Sequence, residues 1–127
     1  MALLLDTQII IWLEENPANI ANEVRDQILA ETTAYFSKAS VWEMAIKIKT
    51  GKLSLKQPLD LFIDNFQIDY KFKLLDISLQ HIYQTQQLPL HHRDPFDRLL
   101  IAQSIIENIA VISSDGIFDA YGIRRIW

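Results

Sequence analysis

The sequence predicts an α/β fold with three layers, in which helices cover both faces of a short, mostly parallel central sheet. Short apolar segments of strand length alternate with segments of helical periodicity along the whole chain. That alternation is typical of parallel sheets covered by helices. The chain has 127 residues, half of them apolar, which suits one domain with a substantial core. We therefore expect a single domain over residues 1–127.

The first half of the chain begins with an apolar run at residues 2–5 that stops at an acid, which predicts a buried strand. A helix follows over 6–16 and a second over 18–30, the first ended by an Asn-Pro pair. Ile20, Val24, Ile28 and Leu29 are expected on one face of the second helix. Residues 33–36 are a further strand candidate.

The middle of the chain carries two helix-start signals. Ser40 and Glu43 have the spacing of a capping box, so we predict a helix that begins at Ser40 and stops near Gly51. Pro58 opens another helix over 59–66. The remaining predicted elements are a strand at 72–77, a helix capped by Ser78 to about 86, a loop at 88–93, a helix from Asp94 to about 108, a strand at 109–113, a helical turn at 118–121 and an edge strand at 123–127.

Composition limits the functional classes. The absence of cysteine excludes disulfides, thiolate metal sites and a cysteine nucleophile. No apolar run approaches the roughly 20 residues that span a bilayer, and the N-terminus lacks the basic segment of a signal peptide. We expect a soluble cytoplasmic protein with no membrane partner. The net charge of −4 argues against nucleic-acid binding, but two bound divalent cations would cancel it.

Four acids are placed at the ends of predicted elements. Asp6 and Asp115 stand where apolar strands end, and Glu43 and Asp97 stand in the first turn of helices. Because the carboxyl ends of parallel strands meet at one edge of a sheet, we expect these acids in one cleft. Carboxylates buried together repel one another and require a cation, for which Mg²⁺ or Mn²⁺ is suited. Such cations activate water and stabilise a phosphodiester oxyanion.

Taken singly, each acid also has a purely structural explanation. These explanations are a strand end and helix cap for Asp6, a capping-box partner for Glu43, a position favoured by the helix dipole for Asp97 and a turn for Asp115. Only the expected convergence of the four acids in one cleft favours a catalytic role over these structural ones. Hydroxyls adjacent to the acids are suited to orient ligands or water, namely Thr7, Ser40, Ser113 and Ser114.

Other polar residues give weaker signals. His91 and His92 are adjacent, so their rings point apart on an extended loop and do not form a two-histidine zinc site. His81 is expected at the surface of a polar helix. The tryptophans are expected in the core or at a dimer contact. The chain has neither a glycine-rich phosphate loop nor a nucleophile elbow.

Four segments of the chain form a recognisable set. They are LLLDT at 3–7, SVWEMAIK at 40–47, LPLHHRDPFDRLLIAQ at 88–103, and SD at 114–115 followed by FDAYG at 118–122. This set resembles the PIN-domain ribonucleases and, within them, the VapC-type toxins of bacterial toxin–antitoxin pairs. The resemblance covers nearly the full chain, and its third segment is the most specific.

The resemblance implies a PIN-like fold and a Mg²⁺- or Mn²⁺-dependent endoribonuclease that hydrolyses RNA phosphodiesters with a metal-activated water. It also implies a homodimer and a VapB-type antitoxin whose tail covers the acidic cleft. The family's acids fall on the same four positions, and Asp94 and Asp119 are lesser candidates, Asp94 as an auxiliary ligand. Gln8 stands where close relatives carry His. We expect RNA to approach along Arg93, Arg98 and Lys47, although a solvated helix face also explains the lysines.

Two other classes of function stay open from the sequence. One is a PIN nuclease that acts on DNA or in RNA maturation, which growth arrest relieved by a co-encoded small protein would exclude. The other is a non-enzymatic Mg²⁺-binding interaction module, including a receiver-like phosphoacceptor at Asp6. A receiver is disfavoured because no lysine is well placed near the last strand. The sequence does not identify the RNA that is cleaved.

Overall fold

The structure is a computed structural model that describes residues 2–30 and 33–127. The strands in these residues are β1 (Ala2–Leu5), β2 (Thr33–Ser37), β3 (Lys73–Leu75), β4 (Ala110–Ile112) and β5 (Arg125–Ile126). The helices are α1 (Thr7–Glu15), α2 (Asn22–Ala30), α3 (Lys38–Lys49), α4 (Leu59–Tyr70), α5 (Leu79–Gln87) and α6 (Pro95–Glu107), with short 3-10 helices at Pro17–Asn19 and Gly116–Tyr121.

The five described strands form one sheet in the order β3-β2-β1-β4-β5, and every neighbouring pair is parallel. β1 lies at the centre. Its successive side chains point to opposite faces, so Leu3 and Leu5 belong to one apolar cluster and Leu4 to another. The first cluster includes residues of α1, α2, α3 and α4, and the second includes residues of α6. The predicted three-layer α/β fold is confirmed.

The predicted helix over 18–30 is wrong at its start. The chain forms a 3-10 turn at Pro17–Asn19, Ile20 is extended, and α2 begins only at Asn22. Ile20, Val24 and Ile28 are buried as expected, but Leu29 is 56% exposed. At 3.6 residues per turn, Leu29 is five residues beyond Val24 and is rotated about 140° away from it, so it leaves the buried face.

The capping box predicted at Ser40 is also wrong. β2 continues in extended conformation to Ser37, whose Oγ accepts the Ala39 backbone N–H at 3.0 Å and caps α3. Ser40 therefore lies inside the first turn of α3 and is buried. Two serines three residues apart both fit the cap pattern, and only the length of β2 decides between them. The predicted cap at Ser78 of α5 is confirmed.

His81 is buried, contrary to its predicted surface position, with 2% of its area exposed. Its Nδ1 accepts the Ser78 backbone N–H at 3.0 Å, and its Nε2 lies 3.3 Å from a carboxylate oxygen of Glu107 on α6. These two polar partners let the imidazole lie in the contact between α5 and α6 without an unsatisfied ring nitrogen.

The later elements differ from prediction mainly in their ends. α4 runs four residues beyond 66, to Tyr70, and Lys71 then ends it with a left-handed conformation. The strand predicted at 72–77 is the shorter β3. α6 is capped by Asp94 and ends at Asn108, also left-handed. β5 is an edge strand, as predicted. Among the helices of the described ranges, none has the length and apolar character that a membrane crossing requires.

Candidate metal centre

The four acids predicted to converge line one cleft of about 150 Å³ at the carboxyl edge of the sheet. Asp6 follows β1 directly, Asp115 follows β4, Glu43 lies on α3 and Asp97 lies on α6. Lys47 lines the same cleft. Larger cavities of about 570 and 660 Å³ lie elsewhere, but the described residues that line them include no carboxylate. The small cleft is therefore where charged chemistry is concentrated.

Asp6 is both a helix cap and a cleft residue. Its Oδ1 accepts the Ile9 backbone N–H at 2.9 Å, which caps α1. Only 6% of its area is exposed. Burial raises the pKa of Asp6 to about 6, with smaller raising contributions from Glu43 and Asp115, against hydrogen bonds from Ser113 and Ile9 that lower it. The carboxylate thus carries negative charge in a place that disfavours it.

Glu43 lies across the cleft on α3 and is also buried, with 5% of its area exposed. Its Oε1 accepts the Thr7 hydroxyl at 2.6 Å, and its Oε2 lies 2.9 Å from Lys47 Nζ, one turn along the helix. Thr7 Oγ1 is also 2.9 Å from Ser40 Oγ. Since a hydroxyl has a single proton, both contacts are satisfied when Ser40 donates to Thr7 and Thr7 donates to Glu43.

The ammonium of Lys47 responds to its acidic surroundings. The hydrogen bond to Glu43 raises the pKa of Lys47, and the charges of Glu43, Asp94 and Asp97 act in the same direction, against partial burial. Lys47 therefore stays protonated at neutral pH and faces the cleft as a fixed positive charge.

Asp97 lies in the first turn of α6, behind the cap that Asp94 provides. Asp94 Oδ1 accepts the backbone N–H groups of Phe96 at 2.9 Å and Asp97 at 3.0 Å. Burial raises the pKa of Asp97 to about 6, with further contributions from Asp94 and Glu43. His92 opposes this shift, because its Nε2 lies 2.8 Å from Asp97 Oδ2.

Asp115 is the most accessible of the four acids, with half of its side chain exposed. Its Oδ1 accepts the Ile117 backbone N–H at 3.0 Å and caps the following 3-10 helix. Its Oδ2 lies 3.9 Å from His92 Nε2. One potential ligand atom from each of His92, Asp97 and Asp115 falls within 4.8 Å of the others, a spacing that could hold a metal ion.

His92, which contacts the cleft acid Asp97, is the residue that sequence reasoning missed. Its adjacency to His91 was used to argue against a histidine pair, and the rings do have different neighbours: His91 contacts Tyr121, and His92 contacts Phe118. The useful signal was the spacing of five residues between His92 and Asp97. Because the chain enters α6 after Asp94, the side chain of His92 can reach back to Asp97 in the first turn of the helix.

Two of the hydroxyls expected beside the acids, Thr7 and Ser113, form hydrogen bonds to acid side chains. Thr7 and Ser40 hold Glu43. Ser113 donates its hydroxyl to Asp6 and accepts the Asp115 backbone N–H at 3.0 Å. Ser114 is exposed and lines the cleft.

The basic residues expected on the RNA path divide into two groups. Lys47 lines the cleft, and Arg93 is exposed immediately before Asp94. Arg98, in contrast, directs its guanidinium to backbone carbonyls, those of Thr85, Leu88, Pro89 and His92. These contacts give Arg98 a structural task, which is to hold the loop that precedes α6.

Two outlying acids are also accounted for. Asp119 forms a bidentate pair with Arg125, at 2.9 and 3.0 Å, and does not line the cleft. This pair lowers the pKa of Asp119. Asp94 acts chiefly as the cap of α6, and its charge contributes to the raised pKa values of Lys47 and Asp97.

The donor set fits a hard divalent cation. It offers carboxylate oxygens from several elements, together with neighbouring hydroxyls, which is the chemistry that Mg²⁺ and Mn²⁺ prefer. Burial is the largest cause of the raised pKa values of Asp6 and Asp97, and neighbouring carboxylates act in the same direction. A bound divalent ion would favour the ionised form of both groups.

Comparisons with known proteins bear on the family and the fold. The family model described as PIN domain matches residues 3–123. A VapBC2 structure from Rickettsia felis, bound to a DNA fragment from its promoter, superposes with a TM-score of 0.76 at 15% identity, covering 99% of this chain and 98% of the other. No curated protein sequence matches this chain significantly.

Two further solved structures show the same fold. A DNA-bound VapBC from Salmonella typhimurium has a TM-score of 0.73 at 18% identity and covers 99% of this chain and 97% of the other. VapBC-1 from nontypeable Haemophilus influenzae has a TM-score of 0.67 at 20% identity, with coverage of 99% and 97%.

Proposed function

The chain belongs to the PIN domain family, and from that membership we propose that it is a metal-dependent endoribonuclease, the toxin of a VapBC-type toxin–antitoxin pair. One observation carries the proposal. Asp6, Glu43, Asp97 and Asp115, which come from four separate segments, line one cleft, and burial raises the pKa of Asp6 and Asp97 to about 6. Carboxyl groups with strongly shifted pKa values that share a cleft are characteristic of functional sites.

The four acids would hold Mg²⁺ or Mn²⁺, with Asp94 as a candidate auxiliary ligand. When bound, such a cation supplies a Lewis acid that activates water and stabilises the charge of a phosphodiester in displacement. Side chains of the protein would orient the ligands of this cation. Thr7 and Ser40 fix the Glu43 carboxylate, and Ser113 fixes Asp6.

RNA would reach this cleft along its basic rim. Lys47 lines the cleft and Arg93 is exposed immediately before Asp94, so both are candidates for contacts with phosphate oxygens. Arg98 was predicted on the same path, but its four carbonyl contacts lead us to assign it to the loop instead.

A VapB-type antitoxin and a second copy of the chain are the proposed protein partners. The solved structures from Rickettsia felis and Salmonella typhimurium are VapBC complexes, which supports the first. Large apolar side chains exposed on the described surface support protein contacts in general, among them Trp42, Ile68, Leu79 and Leu90. We place the protein in the cytoplasm, where its RNA substrate and antitoxin would be found.

The proposal is tested by RNA cleavage with purified protein freed of antitoxin, in Mg²⁺ or Mn²⁺ against EDTA. The Asp97→Asn protein removes a cleft acid, and the Asp64→Asn protein makes the same charge change at an exposed position of α4. We expect metal-dependent cleavage by the wild-type and Asp64→Asn proteins and none by Asp97→Asn. Cleavage by the Asp97→Asn protein that still depends on metal would contradict the proposal.

A second arm separates a toxin from a nuclease of RNA maturation. Expression of the wild-type chain should arrest growth, and co-expression of its small neighbouring gene product should relieve the arrest. Growth arrest without relief, or no arrest at all, would remove the toxin assignment and leave the nuclease assignment standing.

A further inference from the structure

We propose that His92 is a positioning residue for Asp97: its Nε2–H donates to Asp97 Oδ2 and orients that carboxylate for the cation, and the imidazole itself does not ligate the cation. The inference rests on the proposed metal-dependent function and adds a residue that the sequence did not assign. The Nε2 to Oδ2 distance is 2.8 Å, and both side chains are largely buried.

The competing interpretation is that His92 is itself a ligand. The atoms of His92, Asp97 and Asp115 lie close enough to share one ion. A histidine nitrogen binds a metal through a lone pair, so Nε2 would have to be unprotonated. The hydrogen-bond partners of the two ring nitrogens therefore separate the two interpretations.

The environment of Nδ1 favours the positioning role. The Asp94 backbone N–H points at Nδ1, with a nitrogen–nitrogen distance of 3.4 Å. A neutral imidazole whose Nδ1 accepts a hydrogen bond carries its proton on Nε2. That proton faces Asp97 Oδ2, so Nε2 is a donor in this arrangement.

The backbone of His92 is fixed by contacts on both sides. Its N–H donates to the Tyr121 hydroxyl at 2.7 Å, and its carbonyl accepts from the Arg98 guanidinium at 3.1 Å. Arg98 follows Asp97 in the same turn of α6. Asp97 therefore contacts the His92 ring, and its neighbour Arg98 holds the His92 backbone. The Tyr121 hydroxyl also donates to Pro89 at 3.0 Å, which ties the loop to the 3-10 helix after β4.

A residue of this kind has a measurable consequence for the cation. Outer partners of metal ligands typically contribute about 10- to 100-fold to metal affinity. Removal of the imidazole should weaken cation binding by that factor, and a side chain that restores an N–H donor should recover much of it.

The test measures Mn²⁺ binding by calorimetry, a readout that does not depend on RNA cleavage. The variants are His92→Ala, His92→Gln and, as a control, His91→Ala, which removes the exposed neighbouring ring. We expect a loss of affinity of about 10- to 100-fold in His92→Ala, a smaller loss in His92→Gln because the amide can donate to Asp97, and no change in His91→Ala.

Electron spin echo spectroscopy of the Mn²⁺-loaded wild-type protein decides whether the imidazole is a ligand. We expect no nitrogen coupling from a coordinated imidazole. Such a coupling, or unchanged affinity in His92→Ala, would overturn the positioning role and leave the metal site in place. Absence of Mn²⁺ binding by the wild-type protein would instead remove the metal-dependent function, and the His92 inference with it.

Discussion

The two sides of the cleft balance their negative charge in different ways. On the Glu43 side, a buried carboxylate has a partner for each oxygen, the Thr7 hydroxyl and the Lys47 ammonium. On the Asp97 side, the carboxylate has one side-chain partner, His92, and its pKa is raised by burial and by neighbouring acids. Four acids in one cleft are therefore not four equivalent ligands. Asp97 and Asp6, whose pKa values are both raised to about 6, are the carboxylates that a bound cation would stabilise most.

The strongest test of this comparison removes one carboxylate from each side. We expect Asp97→Asn to weaken Mn²⁺ binding by more than the roughly 100-fold upper limit for an indirect partner, and Glu43→Gln to weaken it by about 10-fold or less. In the Glu43→Gln protein the amide oxygen can still accept from Thr7, whereas the amide NH2 group no longer accepts from Lys47. Calorimetry with Asp64→Asn as the charge control measures both. The comparison fails if Glu43→Gln has the larger effect.

The second test uses pH and removes the metal with EDTA. The pKa of Asp6 is raised from its ordinary 3.8 to about 6, so the folded protein binds this proton more tightly than the unfolded chain. Stability attributable to Asp6 is therefore present in full below about pH 4, is lost as the pH rises towards 6, and stays lost above it. Asn at position 6 can still accept the Ile9 N–H. We expect Asp6→Asn to exceed the wild-type free energy of unfolding by about 2–3 kcal/mol at pH 7.5.

Urea unfolding of the two proteins between pH 4 and pH 8 measures that difference. It should shrink towards zero as the pH approaches 4. Saturating Mn²⁺ should reverse the order at pH 7.5, because the cation stabilises the wild-type protein by mass action. A difference that is constant with pH would show that Asp6 is not under electrostatic strain.

The smallest expected effect concerns the Glu43 side and its ammonium. Lys47→Met removes one positive charge from the rim of the cleft and leaves the apolar stem of the side chain. We expect weaker RNA binding, with the slope of log affinity against log salt reduced by about one. Binding by an uncleaved RNA in EDTA, titrated over a range of salt concentrations, measures this slope. Lys52→Met, at an exposed position outside the cleft lining, is the matched control.

The fold and the convergence of the four acids in one cleft could be predicted because their signals are local. An apolar strand that ends at an acid, such as Leu3 to Leu5 before Asp6, shows within a few residues both a buried segment and the point where the strand gives way to a helix. The parallel sheet then brings the strand ends together by geometry alone. The cap of α6 by Asp94 follows from the same short-range rules.

The residues that were misjudged depend on contacts between segments. The sequence predicts a cap at Ser40 because nothing in the adjacent residues shows that β2 extends to Ser37. His81 is buried because α6 supplies Glu107 as a partner. The sequence predicts Arg98 on the RNA path because it does not show the carbonyl groups that bind the guanidinium, which lie near the end of α5 and in the loop before α6.

The central position of β1 has a consequence for the nascent chain. Leu3 pairs with Ala110 and Leu5 with Ile112, so the first strand completes its sheet only with the fourth. Such distant pairing is slow to form, since the intervening chain must be ordered before the contact is made. Asp6 and Asp115 cannot face each other on a ribosome that has not yet synthesised residues 110–115. The cleft is thus assembled late in synthesis, and a truncated translation product that lacks this segment has no complete acidic centre.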